Sequence, residues 1–255
     1  MPAHPVVVPA PPVPPVFLND LWHIPALGFG VWQIDNDKVE GAVATALEAG
    51  YRHIDTAQGY DNEAGVGAAL RASSPKRGEV FVTSKLRTKS MGYEQALAGV
   101  KESLEALQLD YLDLFLIHWP MPARDNYVET WKAFVQAQKD GLVRSIGVSN
   151  FLPEHIDRIV EATGVTPAVN QLETHPYFQQ RDVRDYHEHQ GIKVESYSPL
   201  GHGEVLKDEV IADIARSASV SPAQVVLRWH LQEGLIVIPK SETTERIEAN
   251  VAVFD

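Results

Sequence analysis

The chain has no cysteine among its 255 residues, so neither a disulfide framework nor a cysteine-ligated zinc site can hold its fold. That absence fits a reducing compartment. It also has no apolar run longer than a strand, and its N-terminus lacks the charged and apolar regions of a secretory leader, which argues against a membrane span or export. Positive charge is scarce: the net charge is −12 and no Lys/Arg cluster breaks it locally, which excludes a partner bound through a phosphate backbone. A Gly-x-Gly-x-x-Gly dinucleotide fingerprint is missing as well, since Gly28-Phe29-Gly30 is followed by Gln33.

What is present divides into a tail and one body. Residues 1–15 hold Pro2, Pro5, Pro9, Pro11, Pro12, Pro14 and Pro15, a density that blocks helix and central-strand pairing and predicts an extended tail. Nothing linker-like follows, so residues 16–255 are expected to form a single domain. Within it short apolar runs alternate with stretches of helical period. The strands are expected at 28–33, 52–57, 80–86, 112–119, 144–150, 168–173, 193–199 and 235–240. Helices are expected at 37–49, 63–72, 93–109, 126–140, 153–163, 181–190, 209–217 and 222–232. Gly50, Gly141, Gly164, Gly191 and Gly234 mark helix ends, and Ser221-Pro222 marks a helix start. Eight strands alternating with helices over this length predict an α/β protein of the (β/α)8 TIM-barrel class in preference to an open doubly wound sheet.

A barrel of this kind carries its chemistry on the loops after its strands. Asp55 ends the second strand and Lys85 the third. Lys85 shares its parity with the apolar Phe81, so its ammonium points into the interior, where it needs a partner. His118 ends the fourth strand, on the parity of Leu114 and Leu116. Tyr60 follows Asp55 by five residues. A tyrosine beside a lysine ammonium is expected to have its pKa lowered from about 10, which makes the phenol a usable acid. Asp55 would keep Lys85 charged, and a neutral His118 could donate to a carbonyl oxygen on which negative charge develops. Taken singly, each has a duller reading: Asp55 and Lys85 as a structural ion pair, His118 as a core histidine. Their common rim joins them. The set still lacks a reductant, unless Lys85 itself attacks a carbonyl as a Schiff-base nucleophile. His187-Glu188-His189 has ligand-type residues, but two helical positions two apart face different ways, so a surface segment is expected there.

The chain resembles the aldo-keto reductase superfamily, in particular the bacterial 2,5-diketo-D-gluconate reductase-like group. The resemblance rests on Leu27-Gly28-Phe29-Gly30, on Gly50-Tyr51-Arg52-His53-Ile54-Asp55-Thr56-Ala57 with Tyr60, Asn62 and Glu63, and on Thr83-Ser84-Lys85-Leu86. It continues through Leu116-Ile117-His118-Trp119-Pro120, Ile146-Gly147-Val148-Ser149-Asn150-Phe151 and Val169-Asn170-Gln171, then Tyr197-Ser198-Pro199-Leu200-Gly201 and Ile238-Pro239-Lys240-Ser241.

The resemblance implies reduction of aldehydes and ketones, with dicarbonyls or keto-sugars as plausible substrates. Tyr60 would donate the proton, Lys85 and Asp55 would tune it, and His118 would orient the carbonyl. NADPH would be the missing reductant. Ser149, Asn150 and Gln171 would hold its carboxamide and Tyr197 would stack on the nicotinamide. Leu200 and Gly201 would meet the pyrophosphate, Lys240, Ser241 and Arg246 the 2′-phosphate, and Asn250 the adenine. Trp32 and Trp119, with Tyr60 and His118, would wall the substrate pocket. A small carbonyl compound is then the expected partner of a cytoplasmic monomer with no metal. Two departures stand out. Relatives of this group usually continue past the end at Val253-Phe254-Asp255 through a helix and a pocket-closing loop, and Ala249 stands where they commonly have Glu. The first implies a wider, more weakly binding pocket, the second weaker adenine contacts. A non-catalytic NADPH-binding subunit also remains open.

Overall fold

The computed structural model describes residues 13–254. The chain enters through an antiparallel hairpin, β1 (Pro15–Phe17) with β2 (His23–Pro25), in which Val16 pairs with Ile24. Pairing therefore begins inside the predicted tail: Pro15 faces Pro25 and the Pro14 carbonyl accepts from Ala26 N at 2.9 Å. Proline is tolerated there because a two-stranded ribbon has outer edges that need no N–H. The rest of the predicted tail, residues 1–12, lies outside the described residues.

Eight parallel strands follow: β3 (Phe29–Gly30), β4 (His53–Asp55), β5 (Phe81–Leu86), β6 (Leu112–Ile117), β7 (Val143–Ser149), β8 (Val169–Glu173), β9 (Lys193–Tyr197) and β10 (Ile236–Val237). Each pairs with the next in sequence order, and Leu27 bridges Val237 in parallel, with Gly28 N donating to Val237 O at 2.9 Å. That contact joins the last strand to the first and closes the barrel. Gly28 is required at the seam, since a Cβ there would lie 2.4 Å from His53 Nδ1.

Between the strands run α1 (Asn36–Glu48), α2 (Glu63–Ala72), α3 (Tyr93–Leu107), α4 (Tyr127–Lys139), α5 (Pro153–Thr163), α6 (Arg181–Gln190), α7 (Glu209–Ala218) and α8 (Pro222–Gln232); α9 (Thr244–Val251) follows β10. Both faces of the strands are covered, which is why β6 is buried throughout and, Asp113 excepted, apolar. Leu114 and Leu116 fill the interior, while Phe115 and Ile117 join the layer under the helices, Phe115 packing on Phe134 with ring centroids 5.1 Å apart. The helix ends follow the sequence signals. Gly164 and Gly191 cap α5 and α6 in the left-handed region, and Ser221 forms a capping box with Gln224.

Three differences from the sequence reading have physical causes. The first and last barrel strands are much shorter than expected, because the chain turns away at the rim after Gly30 and reaches Pro239, which lacks the N–H a ladder needs. The hairpin was not expected, since three-residue strands show no usable alternation. Nor was α9, eight residues long and directly behind a strand end.

Candidate active site

The C-terminal strand ends open into a cavity of about 820 Å³, lined by Asp55, Tyr60, His118, Ser149, Asn150, Gln171 and Tyr197 among others. Lys85 stands behind it, completely buried. Its Nζ donates to Asp55 Oδ1 at 2.6 Å, to Thr56 O at 2.9 Å and to Tyr60 OH at 3.2 Å. An ammonium has three protons, and all are committed. Tyr60 sits in a 3-10 turn, Gln58–Tyr60, whose position is set from several sides. Gln58 Nε2 donates to Gly99 O, the Arg87 guanidinium reaches Gln58 O, and Thr56 Oγ1 donates to Asn62 Oδ1. Asn62 Nδ2 in turn donates to Val31 O and Ile34 O, which ties the loops after β3 and β4 together. His118 meets the phenol edge to face, with ring centroids 5.9 Å apart. The four residues picked out from three strand ends and one loop are thus brought together.

Their protonation follows from burial and charge. For Lys85, burial opposes the charged form, but the Asp55 charge and the surrounding acceptors outweigh it and hold the amine above its ordinary value. Burial and the Lys85 charge together press His118 down to about 3, so its imidazole is neutral, as expected. Tyr60 differs from the sequence reading. Burial raises its pKa by more than the Lys85 charge lowers it, so the net shift is upward. The phenol is held fully protonated, a loaded donor and not a half-ionised one.

Around this centre Ser149 Oγ donates to Gln171 O at 2.9 Å, and Tyr197 OH to Asn150 Oδ1 at 2.9 Å. Asn150 occupies the left-handed region, φ 61°, which asparagine tolerates better than most residues, and its Nδ2 donates to His118 O at 3.1 Å. Leu200, Lys240 and Arg246 also line the cavity, while Gly201, Ser241 and Asn250 are buried outside its lining. Ser241 Oγ accepts from Thr243 N at 3.1 Å, a turn bond ahead of α9. Trp32 and Trp119 both stand at the cavity wall, each 46% exposed. Trp32 also meets His202 across the opening, with ring centroids 6.2 Å apart.

Two interior groups escaped the sequence reading. His53, two residues before Asp55, and Glu195, two before Tyr197, are both fully buried, with His53 Nε2 3.5 Å from Glu195 Oε1. The parity argument that found Lys85 applies to them, but His53 opens its strand and Glu195 stands mid-strand, neither at the C-terminal end. The expected surface segment at His187-Glu188-His189 is corrected in one member. Glu188 and His189 are exposed, but His187 is buried and accepts from Asn170 Nδ2 at 2.7 Å, because its side of α6 packs on the strands.

Comparison with known proteins agrees with this architecture. The family model described as "Aldo/keto reductase family" matches residues 26–255. "Methylglyoxal reductase DkgA" of Salmonella typhimurium is 50% identical over 234 residues, 91% of this chain and 84% of that protein. Among solved structures, an aldo/keto reductase from Brucella melitensis superposes with a TM-score of 0.92 at 50% identity, covering 95% of this chain and 94% of that one. A mutant of Gox0644 in complex with NADPH gives a TM-score of 0.91 at 50% identity, covering 94% and 88%. The chain belongs to the aldo/keto reductase family.

Proposed function

We propose that this protein reduces small aldehydes and ketones with NADPH, and that Tyr60 is the proton donor. The observation that carries the reading is the Lys85 ammonium 3.2 Å from the Tyr60 hydroxyl, beside a neutral His118 and facing the cavity.

The cavity's donor set fits the cofactor. Gln171 Nε2 is committed to Asp55 Oδ2 at 2.9 Å and Glu195 Oε2 at 2.7 Å, which leaves Oε1 as the atom it can offer to a carboxamide NH2. Ser149 and Asn150 supply the complementary hydroxyl and amide, and the Tyr197 ring offers a flat surface. Lys240 and Arg246 bring positive charge to the far mouth, suited to a phosphate. Bound there, NADPH supplies the hydride.

The chain's own residues do the rest. His118, neutral, donates to the substrate oxygen and aims it at Tyr60. As that oxygen gains negative charge it becomes a far stronger base than a phenolate, so a phenol with a raised pKa still gives up its proton. Lys85 then holds the phenolate, and Asp55 keeps Lys85 charged. The Schiff-base alternative loses ground, because an amine with all three protons bonded and no exposed surface cannot reach a carbonyl. Dicarbonyls are the favoured substrates, on the likeness to the methylglyoxal reductase and on a wall where Trp32 and Trp119 flank polar donors.

Tyr60→Phe tests the assignment. NADPH oxidation with methylglyoxal should fall by about 10²–10⁴-fold, while NADPH binding, read by fluorescence, survives. A variant that keeps most of its turnover would remove Tyr60 from this role.

A further inference from the structure

The barrel interior carries a second carboxyl group that the reduction scheme above does not use. Glu195 lies on β9 in register with Gln171 on β8 and Ile236 on β10. Its Oε2 accepts from Gln171 Nε2 at 2.7 Å, and the same nitrogen donates to Asp55 Oδ2 at 2.9 Å. Its Oε1 has no hydrogen-bond partner among the described residues and stands 3.5 Å from His53 Nε2, which bonds Thr83 Oγ1 at 3.0 Å. One amide nitrogen thus joins two buried carboxyl groups, and of these two the Lys85 ammonium bonds Asp55 and not Glu195.

The groups facing Glu195 decide its protonation. From β4 come Asp55 and His53, the latter held neutral by burial and by Lys85, with a pKa near 3. From β5 comes Lys85, and β10 contributes only Ile236 and Val237. Burial first, then the Asp55 charge, push Glu195 up to about 8, against the pull of Gln171 and Lys85. A proton on Oε1 gives that orphaned oxygen a donor beside the imidazole.

We propose that Glu195 is a positioning residue for carbonyl reduction. As a neutral acid it fixes the Gln171 amide beneath the cofactor cleft and leaves the Lys85–Asp55 pair to act on Tyr60; once ionised, it slows proton donation. The inference rests on the reductase reading. The sign follows from the charge: a Glu195 anion raises the Tyr60 pKa further, so the phenol becomes a weaker acid as pH passes through the Glu195 titration. Reduction should therefore decline well below the pH at which Tyr60 itself ionises.

The test compares the wild-type chain with Glu195→Gln, which keeps the neutral shape, and Glu195→Ala, which removes the second acceptor from Gln171. Three quantities are read from about pH 6 to about pH 10: kcat with methylglyoxal, the NADPH Kd, and the infrared carbonyl band of a protonated carboxyl. The wild-type chain should lose kcat on a limb near pH 8 as the carboxyl band disappears. Glu195→Gln should lack that band and move the limb upward by about one pH unit or more. Glu195→Ala should weaken NADPH binding roughly fivefold, with Gln restoring it. An active enzyme whose wild-type and Gln profiles superimpose overturns the role of Glu195 alone, as does a titrating band that survives in the Gln variant. A wild-type chain that never oxidises NADPH, though its carboxyl band titrates, overturns the reductase reading and the positioning role together.

Discussion

At the N-terminal ends of its strands the barrel is filled by the β1–β2 hairpin. Leu18 and Ile24 enter between Phe81, Leu114, Leu116, Ala168, Val169 and Ile236, and Asn19 Nδ2 pins the turn to Pro167 O at 2.9 Å. Toward the C-terminal ends the barrel interior presents Asp55, Lys85, Gln171 and Glu195 instead. Charge exists at both ends but is handled differently. Below, Asp113 takes Arg77 at 2.6 Å, Arg144 at 2.9 Å and the Val82 N–H at 2.9 Å, while both guanidiniums stack on Tyr111. Every partner there is a strut, and water reaches the arginines. Above, the ion pair is sealed from water, and the one contact Lys85 makes toward the cavity is to a phenol. Buried ion pairs seldom add net stability. The lower end is therefore built as a plug and clamp, and the upper end accepts a desolvation cost to hold a cation against Tyr60.

The largest effect that could break this contrast is expected at Lys85. Lys85→Met should reduce NADPH-dependent turnover by about 10²–10⁴-fold, as expected for loss of proton-transfer machinery. It should also cost about 3–5 kcal/mol in urea unfolding, because Asp55 is left buried without its cation. Adding Asp55→Asn should recover stability without recovering activity. If the single variant unfolds like wild type, the upper pair carries no such cost. If the double variant regains turnover, the pair is a strut like the one below.

The converse change belongs at the plug. Ile24→Ala removes a fully buried side chain from the lower cluster and should destabilise by about 2–5 kcal/mol, read as a lower urea midpoint, with kcat/KM unaltered. A fall in kcat/KM while the chain stays folded would mean that the two ends are mechanically coupled and not separate devices.

The same contrast marks how far the sequence could be read. Strand order and the rim were legible because alternation in β5 and β6 sets Lys85 and His118 apart from apolar neighbours, and a charge at the end of a buried strand needs a reason. The plug was not, since two strands of three residues carry no period and prolines precede them. Glu195 and His53 obeyed the same parity as Lys85 but stood short of the C-terminal ends of their strands, where a polar residue reads as facing outward until the closed interior is known. The direction of the Tyr60 shift was out of reach for another reason: proximity of a cation can be inferred from spacing, but the competing desolvation depends on how the loop folds over the phenol.

The smallest effect sharpens the comparison at the cavity's outer mouth, where charge is exposed and should matter little to folding. Lys240 Nζ already donates to Glu242 Oε1 at 2.6 Å, and that carboxylate draws on the charge a phosphate would use. Arg246 stands exposed on α9 at the cavity lining, with a fork able to take two phosphate oxygens. Arg246→Ala should therefore shrink the ratio of NADPH to NADH efficiency by about tenfold, and Lys240→Ala by less, because screening and the Glu242 contact discount it. Unfolding midpoints should stay put in both. Raising the salt concentration should compress the wild-type ratio toward that of the Arg246 variant, since the interaction lies in water and within a Debye length of bulk ions. A ratio that ignores both the substitution and the salt would take phosphate recognition away from this end of α9 and return Arg246 to the solvated helix surface.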